Sequence, residues 1–177
     1  MRAARHLILT VLGAAGIALA AGVPAYAGQD TCPAGTLGVS RVIDVDTTGG
    51  PWFGEPHGDP NFLGPKEVVL TFDDGPSPAN TRKILAALAK ECTKATFFVV
   101  GEMVVLHPEV VKEVAEQGHT IGIHSWSHPN LARLPLKDVV QEVEATFDAA
   151  QKASPTPIAP LDRKSTRLNS SHANISY

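Results

Sequence analysis

The sequence predicts an α/β fold built on parallel strands. Three observations carry that expectation: short apolar runs at 67–72, 95–100 and 119–123; helical stretches with one apolar stripe between and after them; and Gly or Pro at the junctions. Strands and helices that alternate this way imply parallel pairing through right-handed crossovers.

The chain opens on Arg2 and Arg5, an apolar, Ala-rich run from Leu7 to Val23, and the small-x-small triplet Ala25-Tyr26-Ala27. That layout predicts a signal peptide over 1–27, cleaved after Ala27. A membrane anchor is the competing reading, but the run is short for a span and Pro24 interrupts it. Export places the protein in the periplasm or outside the cell, with no membrane partner once the leader is gone.

Residues 28–65 are rich in Gly, Pro and Asp, with Gly49-Gly50-Pro51 and Gly58-Asp59-Pro60 as breakers. They read as an irregular arm with one short strand over 39–46 and with Trp52, Phe53 and Phe62 as packing anchors. The chain has two cysteines, Cys32 and Cys92. In an oxidising compartment they can pair and tie the arm to the end of the first helix; the alternative is a free Cys92 packed as a small hydrophobe.

Regular structure follows. A strand at 67–72 leads to a helix at about 80–91, then to a strand at 95–100. The next helix has Pro108 at its first position, Gly118 just past its end, and Val110, Val111, Val114 and Ala115 as its buried face. A third strand covers 119–123. A last helix runs from Leu136 to Lys152 with Val139, Val140, Val143 and Phe147 on one stripe.

Composition fits a domain with a real core: 177 residues, 44% hydrophobic and 19% charged. The formal net charge is −3, and the leader and the last 17 residues hold more bases than acids, so the remainder is more acidic still. Such a surface lacks the electrostatic footprint of a nucleic-acid or anionic-lipid binder and suits a neutral substrate such as a glycan.

The chemistry gathers in two places. Thr71-Phe72-Asp73-Asp74-Gly75-Pro76 puts two carboxylates at the end of a strand, and His124-Ser125-Trp126-Ser127-His128 puts two imidazoles four residues apart. On a helical turn that spacing would bring both rings to one face. Two imidazoles and one carboxylate suit zinc or a similar divalent metal, with a position left for water and the other aspartate left to act on it. Each half alone has a plainer reading: Asp-Asp-Gly is a common turn, and the histidines lack the Glu of the zincin pattern. The other histidines are set aside. His119 stands at the start of the strand that ends at His124, about 15 Å away at roughly 3.3 Å per residue. His107 is expected to cap the helix that begins at Pro108, and His57 lies in the arm.

These two motifs, together with Ala95-Thr96-Phe97-Phe98-Val99-Val100-Gly101 and Gly118-His119-Thr120-Ile121-Gly122, resemble those of the polysaccharide deacetylases with a NodB homology domain, carbohydrate esterase family 4. The resemblance covers about 66–160 and implies the N-terminal half of a distorted (β/α) barrel. It implies Asp74, His124 and His128 as metal ligands and Asp73 as general base, with zinc as the metal and cobalt or nickel as alternatives. The implied reaction removes N-acetyl groups from N-acetylglucosamine-containing polysaccharide or chitooligosaccharide and releases acetate. An acetyl-xylan-type O-deacetylase and a catalytically dead glycan-binding module are the alternatives; retention of Asp73 beside the ligands argues against the latter. Substrate-binding residues and oligomeric state are not legible.

Beyond Pro160 the sequence loses periodicity. Residues 161–177 resemble translated sequencing adapter rather than a native segment, so the sequons at Asn169 and Asn174 are disregarded. Family features expected later in the barrel, including an Arg that orients the base, a later Asp and Trp, and the acid His of a Leu-x-His motif, have no counterpart here. The fragment as written is therefore expected to be neither active nor a well-folded domain, with an unpaired strand edge.

Overall fold

The computed structural model describes residues 6–12, 32–46 and 63–158. The expected anchors Trp52, Phe53 and Phe62, His57 and the tail over 161–177 lie outside the described residues.

Among the described residues there are two three-stranded sheets. The first is antiparallel: strand β1 (His6–Leu12) lies between β2 (Arg41–Asp46) and β3 (Val68–Val69). β1 falls inside the expected leader. Its sequence, His-Leu-Ile-Leu-Thr-Val-Leu, is β-competent as well as apolar, and in the uncleaved chain it pairs with β2 from His6 opposite Asp46 to Val11 opposite Arg41. The arm's expected strand is found as β2. The Arg41 guanidinium grips Glu67 at 2.7 Å, and Gly64 N–H donates to the same carboxylate. With the Arg41 hydrogen bonds the larger cause, Glu67 is held down at about 2.

The second sheet is parallel, in the order β4 (Thr71–Gly75), β5 (Thr96–Val99), β6 (Thr120–Ile123). Helix α1 (Pro78–Lys90) connects β4 to β5. The path from β5 to β6 runs through α2 (Gly101–Leu106) and α3 (Pro108–Glu116). After β6 come a 3-10 turn (Leu131–Arg133) and α4 (Leu136–Ala153). The α/β class and its parallel pairing are as expected. In this sheet β6 pairs only with β5 among the described residues.

Local chemistry explains the boundaries. α1 starts earlier than expected because Pro78 takes the first helical position, while the Thr81 hydroxyl reaches back to accept the Ser77 N–H at 3.0 Å. α3 and α1 end alike. His119 N–H reaches Val114 O and Gly118 N–H reaches Ala115 O, with Gly118 at φ 75. Thr93 N–H reaches Leu88 O and Cys92 N–H reaches Ala89 O, with Cys92 at φ 51. Both are Schellman ends, which want a left-handed residue. In α1 a cysteine fills that role, and it is disulfide-bonded to Cys32.

The core lies between the parallel sheet and α1, α3 and α4. Leu85, Phe97, Val111, Val114, Ile121 and Ala150 are buried in it. The four residues expected on the inner face of α3 are all buried. On α4, Val139 is buried as expected, but the deeper contacts come from Thr146 and Ala150. α2 was not anticipated: it is short, begins on Gly101, and is tied to the loop after β6 rather than announced by a long stripe.

Candidate metal centre

Asp74 sits near the carboxyl end of β4, where the pairing with β5 slips. Phe72 faces Phe97 but Gly75 faces Val99, so β4 carries one extra residue, and Asp74 takes up the slack at φ 67. Such a bulge breaks the strict alternation of a strand and re-aims side chains. Asp73 lies on the same bulged segment and is exposed.

His124 follows β6 directly, its N–H donating to Val99 O at 2.8 Å. The loop then turns through Ser125 at φ 61 and His128 at φ 54, and it is not helical. The helical-turn expectation is therefore corrected: left-handed residues, not a 3.6-residue period, bring the rings together. The ring centroids are 4.9 Å apart.

The three donor atoms form a near-equilateral triangle. His124 Nε2 and His128 Nε2 are 3.1 Å apart, and Asp74 Oδ1 is 3.4 and 3.3 Å from them. Ligands about 2.0–2.2 Å from zinc at tetrahedral angles would stand roughly 3.3–3.5 Å apart. The donor set thus fits one small divalent ion. Exposure of the side chains is uneven, at 11% for His124 against 60% for His128 and 70% for Asp74. One side of the site therefore opens to solvent, where a water and a substrate can reach it.

The remaining histidines behave differently. His119 is buried at the far end of β6, where its Nδ1 accepts the Ala95 N–H at 3.3 Å. Burial first, and the charge of Lys94 second, push its pKa down to about 4. That is a structural, neutral imidazole, as expected. His107 occupies the position before α3, but its side chain makes no capping hydrogen bond; its Nδ1 lies 3.8 Å from Glu109. A capping role for that ring is withdrawn.

One residue near the site escaped sequence reasoning. Glu142 on α4 accepts the backbone N–H groups of Trp126 at 2.7 Å and Ser127 at 2.8 Å. The available signal was a carboxylate three residues after Val139 and four before Thr146, on a helix face that otherwise points inward.

The family model described as polysaccharide deacetylase matches residues 62–161. The chain belongs to the polysaccharide deacetylase family. It is 44% identical over 105 residues to the peptidoglycan-N-acetylmuramic acid deacetylase PdaC of Bacillus subtilis, covering 58% of this chain and 22% of that protein. It is 51% identical over 76 residues to a peptidoglycan-N-acetylglucosamine deacetylase of Bacillus cereus, covering 41% of this chain and 28% of that protein. Against the chitooligosaccharide deacetylase of Rhizobium leguminosarum the identity is 40% over 90 residues, covering 51% and 42%. A solved structure of PdaC aligns at 43% identity with a TM-score of 0.49, covering 51% of this chain and 45% of that one. The chain thus spans less than half the length of these family members.

Proposed function

We propose that this chain carries the metal-binding part of a hydrolase that removes N-acetyl groups from N-acetylglucosamine-containing glycans. The observation that carries the reading is the Asp74, His124, His128 triangle with Asp73 beside it, inside the stretch that matches the family. The relatives' names, peptidoglycan and chitooligosaccharide deacetylases, support the substrate class.

In this reading Asp74, His124 and His128 hold one divalent ion, zinc in preference to cobalt or nickel. When bound, such an ion supplies Lewis-acid polarisation of a carbonyl and a lowered pKa for water. Asp73 takes the proton of the water that attacks the acetamide carbonyl carbon. The amide C–N bond then breaks to give acetate and a glucosamine unit. The amine needs a proton as it leaves, and His119, buried at the opposite end of β6 from His124, is not the group that gives it.

The same reading includes export, with cleavage after Ala27 removing β1, the central strand to which both β2 and β3 pair. Sequencing the amino terminus of the secreted product tests this directly.

The function is tested on the product of the locus read past the codon for Pro160, assayed for acetate release from chitin oligomers, peptidoglycan and acetylxylan. Release from the N-acetylated glycans, stopped by a chelator and restored by zinc, is expected. Turnover of acetylxylan alone would make it an O-deacetylase. Glycan binding with no acetate release would make it a binding module.

A further inference from the structure

The loop from His124 to His128 is held from three sides. β5 takes its start, through His124 N–H to Val99 O. α2 takes its carbonyls, since Gly101 N–H donates to Ser125 O at 3.0 Å and Glu102 N–H to Trp126 O at 3.1 Å. The loop's own Ser125 Oγ accepts the His128 N–H at 3.2 Å. The third side is α4, through Glu142. Its Oε2 receives two consecutive amides, Trp126 and Ser127, and its Oε1 receives the Ser127 hydroxyl at 3.0 Å.

Consecutive N–H groups that follow a left-handed residue form a concavity suited to an anion, and the Glu142 carboxylate fills it. Ser125 and His128 both sit at positive φ, a conformation that persists only where surroundings enforce it. Deleting the carboxylate leaves two amides without their acceptor and removes the contact that fixes the middle of the loop. Both ligand rings flank that middle.

We propose that Glu142 is a positioning residue for the metal centre: by clamping the Trp126 and Ser127 amides it holds His124 and His128 at ligating separation. The proposal rests on the metal-centre reading above. It assigns Glu142 no contact with metal or substrate, because both of its oxygens are engaged by the loop.

The test uses the full 177-residue chain as wild type, Glu142→Ala, Glu142→Gln and Ser127→Ala. Three quantities are read: zinc affinity by calorimetry, the visible absorption of the cobalt(II) form, and thermal unfolding without metal. Supporting groups around metal ligands typically contribute about 10- to 100-fold in affinity, so Glu142→Ala should weaken zinc by that range and alter the cobalt band. Glu142→Gln keeps one carbonyl oxygen for both amides and should restore affinity to within a few-fold. Ser127→Ala removes one of three bonds and should cost a few-fold. Unchanged zinc affinity and cobalt spectrum in Glu142→Ala would overturn the proposal. So would a parallel loss of affinity and metal-free stability in both Glu142 variants, which describes a merely structural residue. Should Glu142→Ala fail to fold, Ser127→Ala decides: a few-fold loss of zinc affinity at unchanged metal-free stability supports the proposal, and wild-type affinity overturns it. A wild-type chain that binds no zinc would instead sink the metal-centre reading itself.

Discussion

His124 Nε2 and His128 Nε2 stand 3.1 Å apart across a segment that forms no helix. Their convergence depends on two left-handed backbone positions, and His128 is one of them. Replacement by Ala therefore removes a ligand and burdens the backbone, whereas Asn removes the ligand and tolerates the same φ. Both variants should bind zinc at least ~100-fold more weakly than wild type, more than is typical for loss of a supporting group. Melting without metal should fall further for His128→Ala than for His128→Asn. Calorimetry and a thermal scan check the pair.

The two aspartates should separate in the same way. Asp74 is at φ 67, so Asp74→Asn keeps the bulge while weakening the ion's hold. Asp73→Asn should leave zinc bound and, in an active protein, lower acetate release by about 100-fold or more, the scale of general-base catalysis. Retained metal in Asp74→Asn with loss in Asp73→Asn would reverse the roles.

Gly101 is predicted to be irreplaceable for steric reasons. A methyl there would run into Trp126 Cε3 and stand 2.9 Å from Thr146 Oγ1. Gly101→Ala must push the Trp126 ring or α4 aside, at a cost of about 1–3 kcal/mol. Since Trp126 belongs to the ligand loop, zinc affinity should drop along with the unfolding midpoint.

His119 predicts a pH dependence. Folded, it stays neutral down to about 4, while its ordinary value is 6.5. Between those values the unfolded chain binds the proton and the folded chain does not. Stability is thus fully present above about pH 6.5 and is lost as pH falls toward 4, by on the order of 3 kcal/mol at most. His119→Asn keeps an acceptor for Ala95 N–H and cannot titrate, so denaturant unfolding across this window should be flatter in the variant.

The disulfide closes a long loop, its two ends 60 positions apart in sequence. Chain entropy sets a ceiling of about 4 kcal/mol for its contribution. Cys32→Ser should lower the denaturation midpoint accordingly, with no change in zinc stoichiometry.

Much of this was legible in the residues. Parallel strands and helices could be read because Phe97, Val111 and Ile121 repeat at the periods of strand and helix, and because Pro108 and Gly118 punctuate α3 chemically. The grouping of Asp74, His124 and His128 could be read because carboxylate and imidazole are chemically distinctive types. What escaped were features defined by contact. α2 is a single short stretch whose amides are satisfied by a loop more than 20 residues away in sequence. The bulge at Asp74 exists only relative to β5. Glu142 is an ordinary glutamate until the loop folds over it. The helical spacing of the two histidines anticipated their convergence for a wrong geometrical reason, since four residues can also converge through left-handed turns.

The Schellman end of α1 also divides the molecule spatially. α1 leaves from beside Asp74 and runs back for 13 residues, about 20 Å at helical rise, before reaching Cys92. The disulfide and the Asp74, His124, His128 triangle thus lie at opposite poles of the sheet. Once Cys92 is locked to Cys32, neither sulfur is available as a thiolate, the soft ligand that would otherwise compete with imidazole for zinc. With both thiols held in the disulfide, the imidazoles of His124 and His128 share no residue with the sulfur chemistry at the other end of α1.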